Sequence, residues 1–491
     1  MSMKAVVIGA GVAGLATAAY LAHEGHEVTV VEKNNHIGGR AGSFSSGGFR
    51  WDTGPSWYLM PDAFEHFFQF FGSSTAERLD LVELDPAYRF FPEGLDPIDV
   101  SDARAIFESI EPGAGEQLDR YLESARETYE VAVQHFLYNN FTRLPLHKDV
   151  TSKLLFLSTL LRTSLEHFVN DRFQDHRLRQ MLSYPAVFLS SSPKNTPAMY
   201  HLMSHTDLTQ GVLYPQGGFA AVVDAIADVA REQGATIRLG AEVAEIVCSN
   251  KEVQGVELVD ATFLDADVVV SAADLKHTEN ALLPRHLRTY PEQYFAKRNP
   301  GIGTVLLYLG VRGELPQLLH HNLLFSREWD ADFEAVFDRP NGFSRSLYIS
   351  KPSATDPDVA PTGHENLFVL VPVPAQPNFN REEQVAEAAI DQIAQWADIP
   401  DLRERIVERH VIGPQHFAEQ FYAWSGGSVG PAHTLRQSAM LRGSNASKKV
   451  NGLYYAGATT VPGVGVPMCL ISAENVVKRL RGDTSSGPLE H

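Results

Sequence analysis

Three glycines, Gly9, Gly11 and Gly14, followed by an acid at Glu32, are the residues of this chain best suited to hold a dinucleotide. Gly9 makes a tight turn, Gly11 lets the backbone approach a pyrophosphate, and Gly14 lets a helix pack on a strand. Free N–H groups at the helix start bind the phosphates, and Glu32 accepts from a ribose hydroxyl. A second group follows at once: His36-Ile37-Gly38-Gly39-Arg40-Ala41, then Phe49 to Ser56 with Asp52-Thr53-Gly54-Pro55-Ser56. It suits a cofactor too long for one βαβ unit, and Arg40 can give charge-assisted hydrogen bonds to a diphosphate. A third group lies at the far end, from Asn451 to Leu480. Gly457, Gly463 and Gly465 loosen a loop there, and Pro467 suits the first turn of a helix.

These residues need elements to position them. Ala5 to Ile8 reads as a buried parallel strand, Gly14 to His23 as helix, and Val28 to Val31 as a second strand ending at Glu32. Gly452 to Ala456 reads as a strand leading into the tail loop. Tyr214-Pro215-Gln216-Gly217-Gly218-Phe219 opens a helix to about Gln233. Short strands follow at Thr236–Leu239, Ala241–Cys248, Val253–Val259 and Val268–Ala272, with further strands at Gly303–Val311 and Asn366–Val373. The cluster Phe64, Phe67, Phe68, Phe70 and Phe71 has helical spacing, which predicts core packing, with a pocket for a large apolar ligand as the alternative. Thr151 to Asn170 is the most apolar helical segment. Lys153 and Arg162 interrupt it, so it is expected as a core helix, a tunnel wall or a shallow membrane contact.

Composition narrows the function. The 491 residues allow two or three domains, and no internal repeat appears. A formal net charge of −19 argues against nucleic-acid binding. Two distant cysteines, Cys248 and Cys469, make neither a disulfide framework nor a zinc site and fit a reducing cytoplasm. No stretch reaches the roughly eighteen apolar residues of a membrane span. No metal site is expected: His320-His321 reads as a solvated loop pair. Asp149 and Lys153, at helical spacing, read as a surface pair or, alternatively, as an acid and base at a tunnel end. No catalytic group is assigned. Gly487 to His491 has the character of an appended tail.

Taken together, GxGxxG with Glu32, GGRAG, DTGPS, YPQGG and the tail YYAGATTVPGVGVP resemble the bacterial phytoene desaturases of carotenoid synthesis, nearly end to end. Flavin amine oxidases usually place an acid after the last Ala-Gly, whereas Gly457 is followed by Ala458-Thr459-Thr460. The resemblance implies an α/β fold: a Rossmann-like, two-dinucleotide-binding FAD fold with a mixed α+β substrate domain and a helical lipid-facing region. It implies cofactor-binding parts at residues 1–60, 211–275 and 434–482, substrate parts at 61–210 and 276–433, and a tail at 483–491. FAD is expected at Gly9, Gly11, Gly14, Glu32, Lys33, Gly39, Arg40, Gly54, Pro55, Ser56 and Val243. Gly457, Val466, Pro467 and Met468 are expected at the flavin ring, where a helix N-terminus would stabilise the charge that arrives with a hydride. The implied activity is stepwise dehydrogenation of phytoene toward lycopene-type polyenes. The implied partners are a hydrophobic polyene, a membrane surface and an electron acceptor such as quinone or oxygen. The enzyme is expected in the cytoplasm, peripherally bound to the membrane. A thirty-carbon diapophytoene desaturase, a carotenoid isomerase and a flavin-free prenyl-binding escort protein are the alternatives.

Overall fold

The computed structural model describes residues 2–142 and 160–490. Its nucleotide-binding side is a five-stranded parallel sheet in the order Leu453–Tyr455, Val268–Ser271, Lys4–Ile8, Glu27–Val31, Thr236–Arg238. All-parallel strands are covered on both faces, so they read as β-branched runs rather than alternations. Val6, Val7, Val30, Val31, Val269 and Val270 are buried accordingly. The register sets Val6 against Thr29 and Val269, and Val269 against Leu453. Three distant stretches of chain thus share one sheet.

The helix Val12–His23 follows the first strand directly and is buried along nearly its whole length. Its run of alanines lets it sit close to the sheet. The helices Gly218–Glu232 and Val466–Arg481 pack beside it, and the three join one core with Phe64, Phe67 and Phe68. These phenylalanines lie on the helix Pro61–Phe70. Phe67, Phe70 and Phe71 surround Tyr20, and Phe64 and Phe68 pack in the same core, so the aromatic cluster is core, as its spacing indicates, and not a ligand pocket.

The second sheet has seven strands: Ile406–Ile412, Ile302–Arg312, His364–Pro374, Leu347–Ser350, His321–Phe325, Tyr88–Pro92, Ile98–Val100. Neighbours are antiparallel except for His321–Phe325 with Tyr88–Pro92. The strand Ile302–Arg312 sorts its side chains by the period of two. Val305, Leu307, Leu309 and Val311 face the helix Glu382–Trp396 in one core. Leu306 and Tyr308 face the opposite core, with the helices between Ala103 and Ser183.

The predicted apolar helix from Thr151 to Asn170 is not one element. The chain is helical at 160–162, breaks at Thr163 and Ser164, and resumes as the short helix Leu165–Asn170. Ser164 caps that second helix by accepting from the His167 N–H, which is why the break falls there. Leu160, Leu165 and Val169 are buried, so this part is core and offers no lipid-facing stripe. Thr151, Lys153, Asp149 and residues up to 159 lie outside the described residues. Among the described residues, no helix is long and apolar enough to cross a membrane. The tail folds back onto the molecule: the Lys478 ammonium donates to the Gly487 carbonyl and the Leu489 N–H to Glu474.

Candidate cofactor and substrate site

The glycine turn comes first in the chain and sets the site. Gly9 has φ +99°, which a side chain would strain. A Cβ at Gly14 would collide with the Gly9 carbonyl, so Gly14 is fixed by helix–strand contact. Gly11 differs from both. Its φ is −75°, and a Cβ there would find no atom closer than 3.8 Å. The fold does not demand glycine at position 11, where a side chain would enter open space.

That space is the flank of one cavity of about 580 Å³. Every predicted cofactor residue except Gly14 lines it: Gly9, Gly11, Glu32, Lys33, Gly39, Arg40, Gly54, Pro55, Ser56, Val243, Gly457, Val466, Pro467 and Met468. Gly14 lies behind the wall, because its place is the helix–strand contact. Glu32 is buried and accepts from the Ala10 N–H at 2.8 Å and the Asn34 N–H at 2.9 Å, one on each carboxylate oxygen. Its remaining lone pairs suit ribose hydroxyls. Lys33 donates to the Glu419 carbonyl and lies 3.8 Å over the Tyr422 ring. Arg40 donates to the Val429 carbonyl at 3.2 Å and lies 3.7 Å from Asp274, which leaves further N–H groups of its guanidinium for an anion.

The tail closes the other flank. Val466–Arg481 begins at the cavity, with Pro467 in its first turn and Gly465 as N-cap at φ +116°. A Cβ at Gly463 would strike the His433 ring. His433 is buried; its Nε2 accepts from the Val464 N–H at 3.2 Å, so Nδ1 carries the proton and donates to the Tyr200 hydroxyl at 2.8 Å. Burial holds this imidazole well below the usual histidine range, hence neutral. Cys469 faces the same space, and burial pushes its thiol up to about 11, so it is no thiolate.

Two motifs far apart in sequence meet behind the site. Asp52, of DTGPS, accepts from the Phe219 and Ala220 N–H groups and so caps the helix that YPQGG opens. Gly218 is glycine because a Cβ there would strike the Asp52 carboxylate.

Away from the nucleotide flank the cavity is apolar and aromatic. The second sheet contributes Ile302, Leu306, Leu323, Phe325, Tyr348, Phe368 and Leu370, and the helical region contributes Tyr184, Phe188 and Leu202. Trp57, two residues past the predicted Pro55, stands at the junction. It stacks on His321 at 4.4 Å between ring centres. His321 bonds the Tyr348 hydroxyl at 2.7 Å, which bonds Ser56 at 2.7 Å. The His320–His321 pair is therefore buried and engaged, not solvated: His320 bonds Thr355, and burial lowers both imidazoles. Among the described residues no cluster of three metal-ligating side chains forms. Tyr184 donates to buried Asp207 at 2.7 Å. Trp57, Tyr184, His321 and Tyr348 were not legible as site residues, because single aromatic positions carry no local signature.

The sequence matches the family model for flavin-containing amine oxidoreductases over residues 12–481. It is 42% identical to a carotenoid 3,4-desaturase of Haloarcula japonica, covering 97% of this chain and 98% of that one. It is 34% identical to a ζ-carotene-forming phytoene desaturase of Myxococcus xanthus, covering 97% of this chain and 93% of that one. The fold matches the crystal structure of an oxidoreductase from Methanosarcina mazei with a TM-score of 0.64 at 19% identity, over 97% of this chain and 100% of that one. The dinucleotide fingerprint, the second glycine site and an apolar chamber open to both are what such an enzyme requires. The chain belongs to the flavin-containing amine oxidoreductases and, within them, to the carotenoid desaturases, FAD-dependent enzymes that act on CH–CH bonds.

Proposed function

We propose that the protein dehydrogenates a linear forty-carbon carotene, taking phytoene stepwise toward lycopene-type polyenes. The observation that carries this reading is the continuity of the cavity, which runs from the glycine fingerprint and tail motif into an aromatic, aliphatic chamber. A hydrocarbon offers no polar handle, so shape and burial must place it, at about 25 cal/mol per Å² of apolar surface.

In this reading Gly11 would hold the pyrophosphate of FAD, Glu32 its ribose, and Val466, Pro467 and Met468 its ring. Residues 1–60, 211–275 and 434–482 form the cofactor-binding unit, and residues 61–210 and 276–433 the substrate unit. Bound FAD supplies the acceptor for two electrons and one proton of a C–H bond. The chain's own residues do the rest. Trp57, Phe188 and Tyr348 offer ring faces to the positive charge that grows on the allylic carbon, about 0.5–2 kcal/mol per ring. The apolar wall keeps out water that would trap that carbon. The second proton goes to the Asp207 carboxylate through the Tyr184 hydroxyl that bonds it. The final electron acceptor in this reading is quinone or oxygen.

A second reading, dehydrogenation at the 3,4 position of an already conjugated chain, is favoured by the 42% identity to the Haloarcula japonica enzyme of that name. Incubating the FAD-loaded protein separately with phytoene and with lycopene, and weighing the products, separates the two. Loss of successive hydrogen pairs from phytoene is expected; turnover of lycopene alone would install the second reading.

The substrate must come from lipid. Leu435, Met440 and Leu441 are each nearly half exposed and flank Ala439, which lines the cavity, with exposed Arg436 beside them. We propose this as the membrane-docking surface. Liposome flotation checks it. Wild type should float, and Leu435→Asp with Leu441→Asp should float less while keeping FAD; equal flotation would contradict the assignment.

A further inference from the structure

Arg442 is buried, 6% exposed, and its guanidinium is spent on backbone carbonyls. Nε donates to Thr460, Nη1 to Pro431 and Gln437, and Nη2 to Ala458 at 2.8 Å. Among the described residues no carboxylate comes within ion-pairing distance, and the acidic groups that act on it are the phenols of Tyr200 and Tyr294. Burial lowers its pKa to about 10, so it stays charged at neutral pH. A buried, uncompensated cation is costly. Carbonyls alone could have been bound by a neutral donor.

Its position suggests what offsets that cost. Ala458, which it grips directly, lines the cavity, as do Gly457, Thr459 and His433 around it. The charge therefore stands one layer behind the wall at the tail loop. The N-terminus of Val466–Arg481 meets the same wall, and its partial positive charge adds to the effect. FAD that has accepted a hydride carries one more negative charge than FAD that has not.

We propose that Arg442 is a positioning residue that sets the cofactor's electron affinity: its fixed charge favours the reduced, anionic flavin and so drives hydride removal from an unactivated hydrocarbon. The inference rests on FAD occupying the cavity as proposed above. At an effective dielectric of about 20, one charge acting across one layer of residues shifts a reduction equilibrium by about tenfold, about 30 mV for two electrons.

The test is the midpoint potential of the bound flavin, with proton uptake on reduction, measured on the FAD-loaded protein. Arg442→Gln and Arg442→Met should lower the potential by about 30 mV, and Arg442→Lys should hold it near wild type. A merely structural arginine would give no such division by charge. Wild type should also take up fewer protons on reduction than free FAD in the same slightly acid buffer. Should the neutral variants fail to retain FAD, the proton uptake of wild type on reduction decides in their place. Wild-type potential in any flavin-bearing neutral variant, or proton uptake equal to that of free FAD, would overturn the proposal. Absence of bound FAD from wild type would instead overturn the cofactor site on which it rests.

Discussion

Two glycines of one motif are required for different reasons, and the difference is measurable. Gly11 has ordinary backbone angles and open space above it, whereas Gly14 has the Gly9 carbonyl where a Cβ would go. Gly11→Val should therefore fold, with a Tm near that of FAD-free wild type, and lose its flavin absorbance. Gly14→Val should lose stability, by about 1–3 kcal/mol or more as overpacked sites do, whether or not flavin is present. A Gly11→Val protein that keeps its full flavin content would refute the placement of the pyrophosphate. Asp207 makes a second prediction at this scale. Burial pushes its carboxyl up to about 7. Between about pH 4 and 7 the folded state therefore holds a proton that the unfolded chain has released, so this group costs stability as pH rises through that window. Asp207→Asn should remove up to about 4 kcal/mol of that cost at pH 8, at about 1.4 kcal/mol per unit, and flatten the dependence of Tm on pH. An unchanged profile would show that the carboxyl titrates elsewhere. If Asp207 is also the proton acceptor, the same variant loses turnover while becoming more stable.

At the scale of elements, the second sheet divides neighbouring residues between two tasks. Leu306 faces the cavity and Leu307 the helix Glu382–Trp396. Leu307→Ala should cost about 2–5 kcal/mol and leave the flavin spectrum unchanged. Leu306→Trp should leave FAD bound and block the substrate. Equal effects from both would mean that the strand does not form the chamber wall. The same division explains what the sequence makes legible. The parallel strands and the tail helix carry local signals: a β-branched run, a glycine turn, a proline at a helix start. Those elements were readable from local pattern, and the residues they bring to the cavity from that pattern together with the family resemblance. The chamber was not. Its wall is every second residue of strands whose other face is equally apolar, so nothing in Ile302–Arg312 marks which face meets a ligand. The segment Thr151 to Asn170 was legible in part: its apolar periodicity announces burial, which Leu160, Leu165 and Val169 show, but Ser164 is as good a cap as a helix residue, and the break at 163–164 was not legible. His320 and His321 likewise read as loop residues until strand pairing places His321 between Trp57 and Tyr348.

At the scale of the whole molecule, one cavity joins a polar flank that suits FAD to an apolar chamber that suits a carotene, and the central claim is that the two act together in one oxidation. The most direct measurement follows the flavin itself. FAD-loaded protein is mixed with liposome-borne phytoene without oxygen, and flavin absorbance and carotenoid mass are read in the same sample. The account predicts that the flavin bleaches as product appears, one hydrogen pair lost from the carotene for each flavin reduced. Product of unchanged mass with the flavin still oxidised would make the protein an isomerase, and no change in either would leave a binding protein; each result would contradict the account.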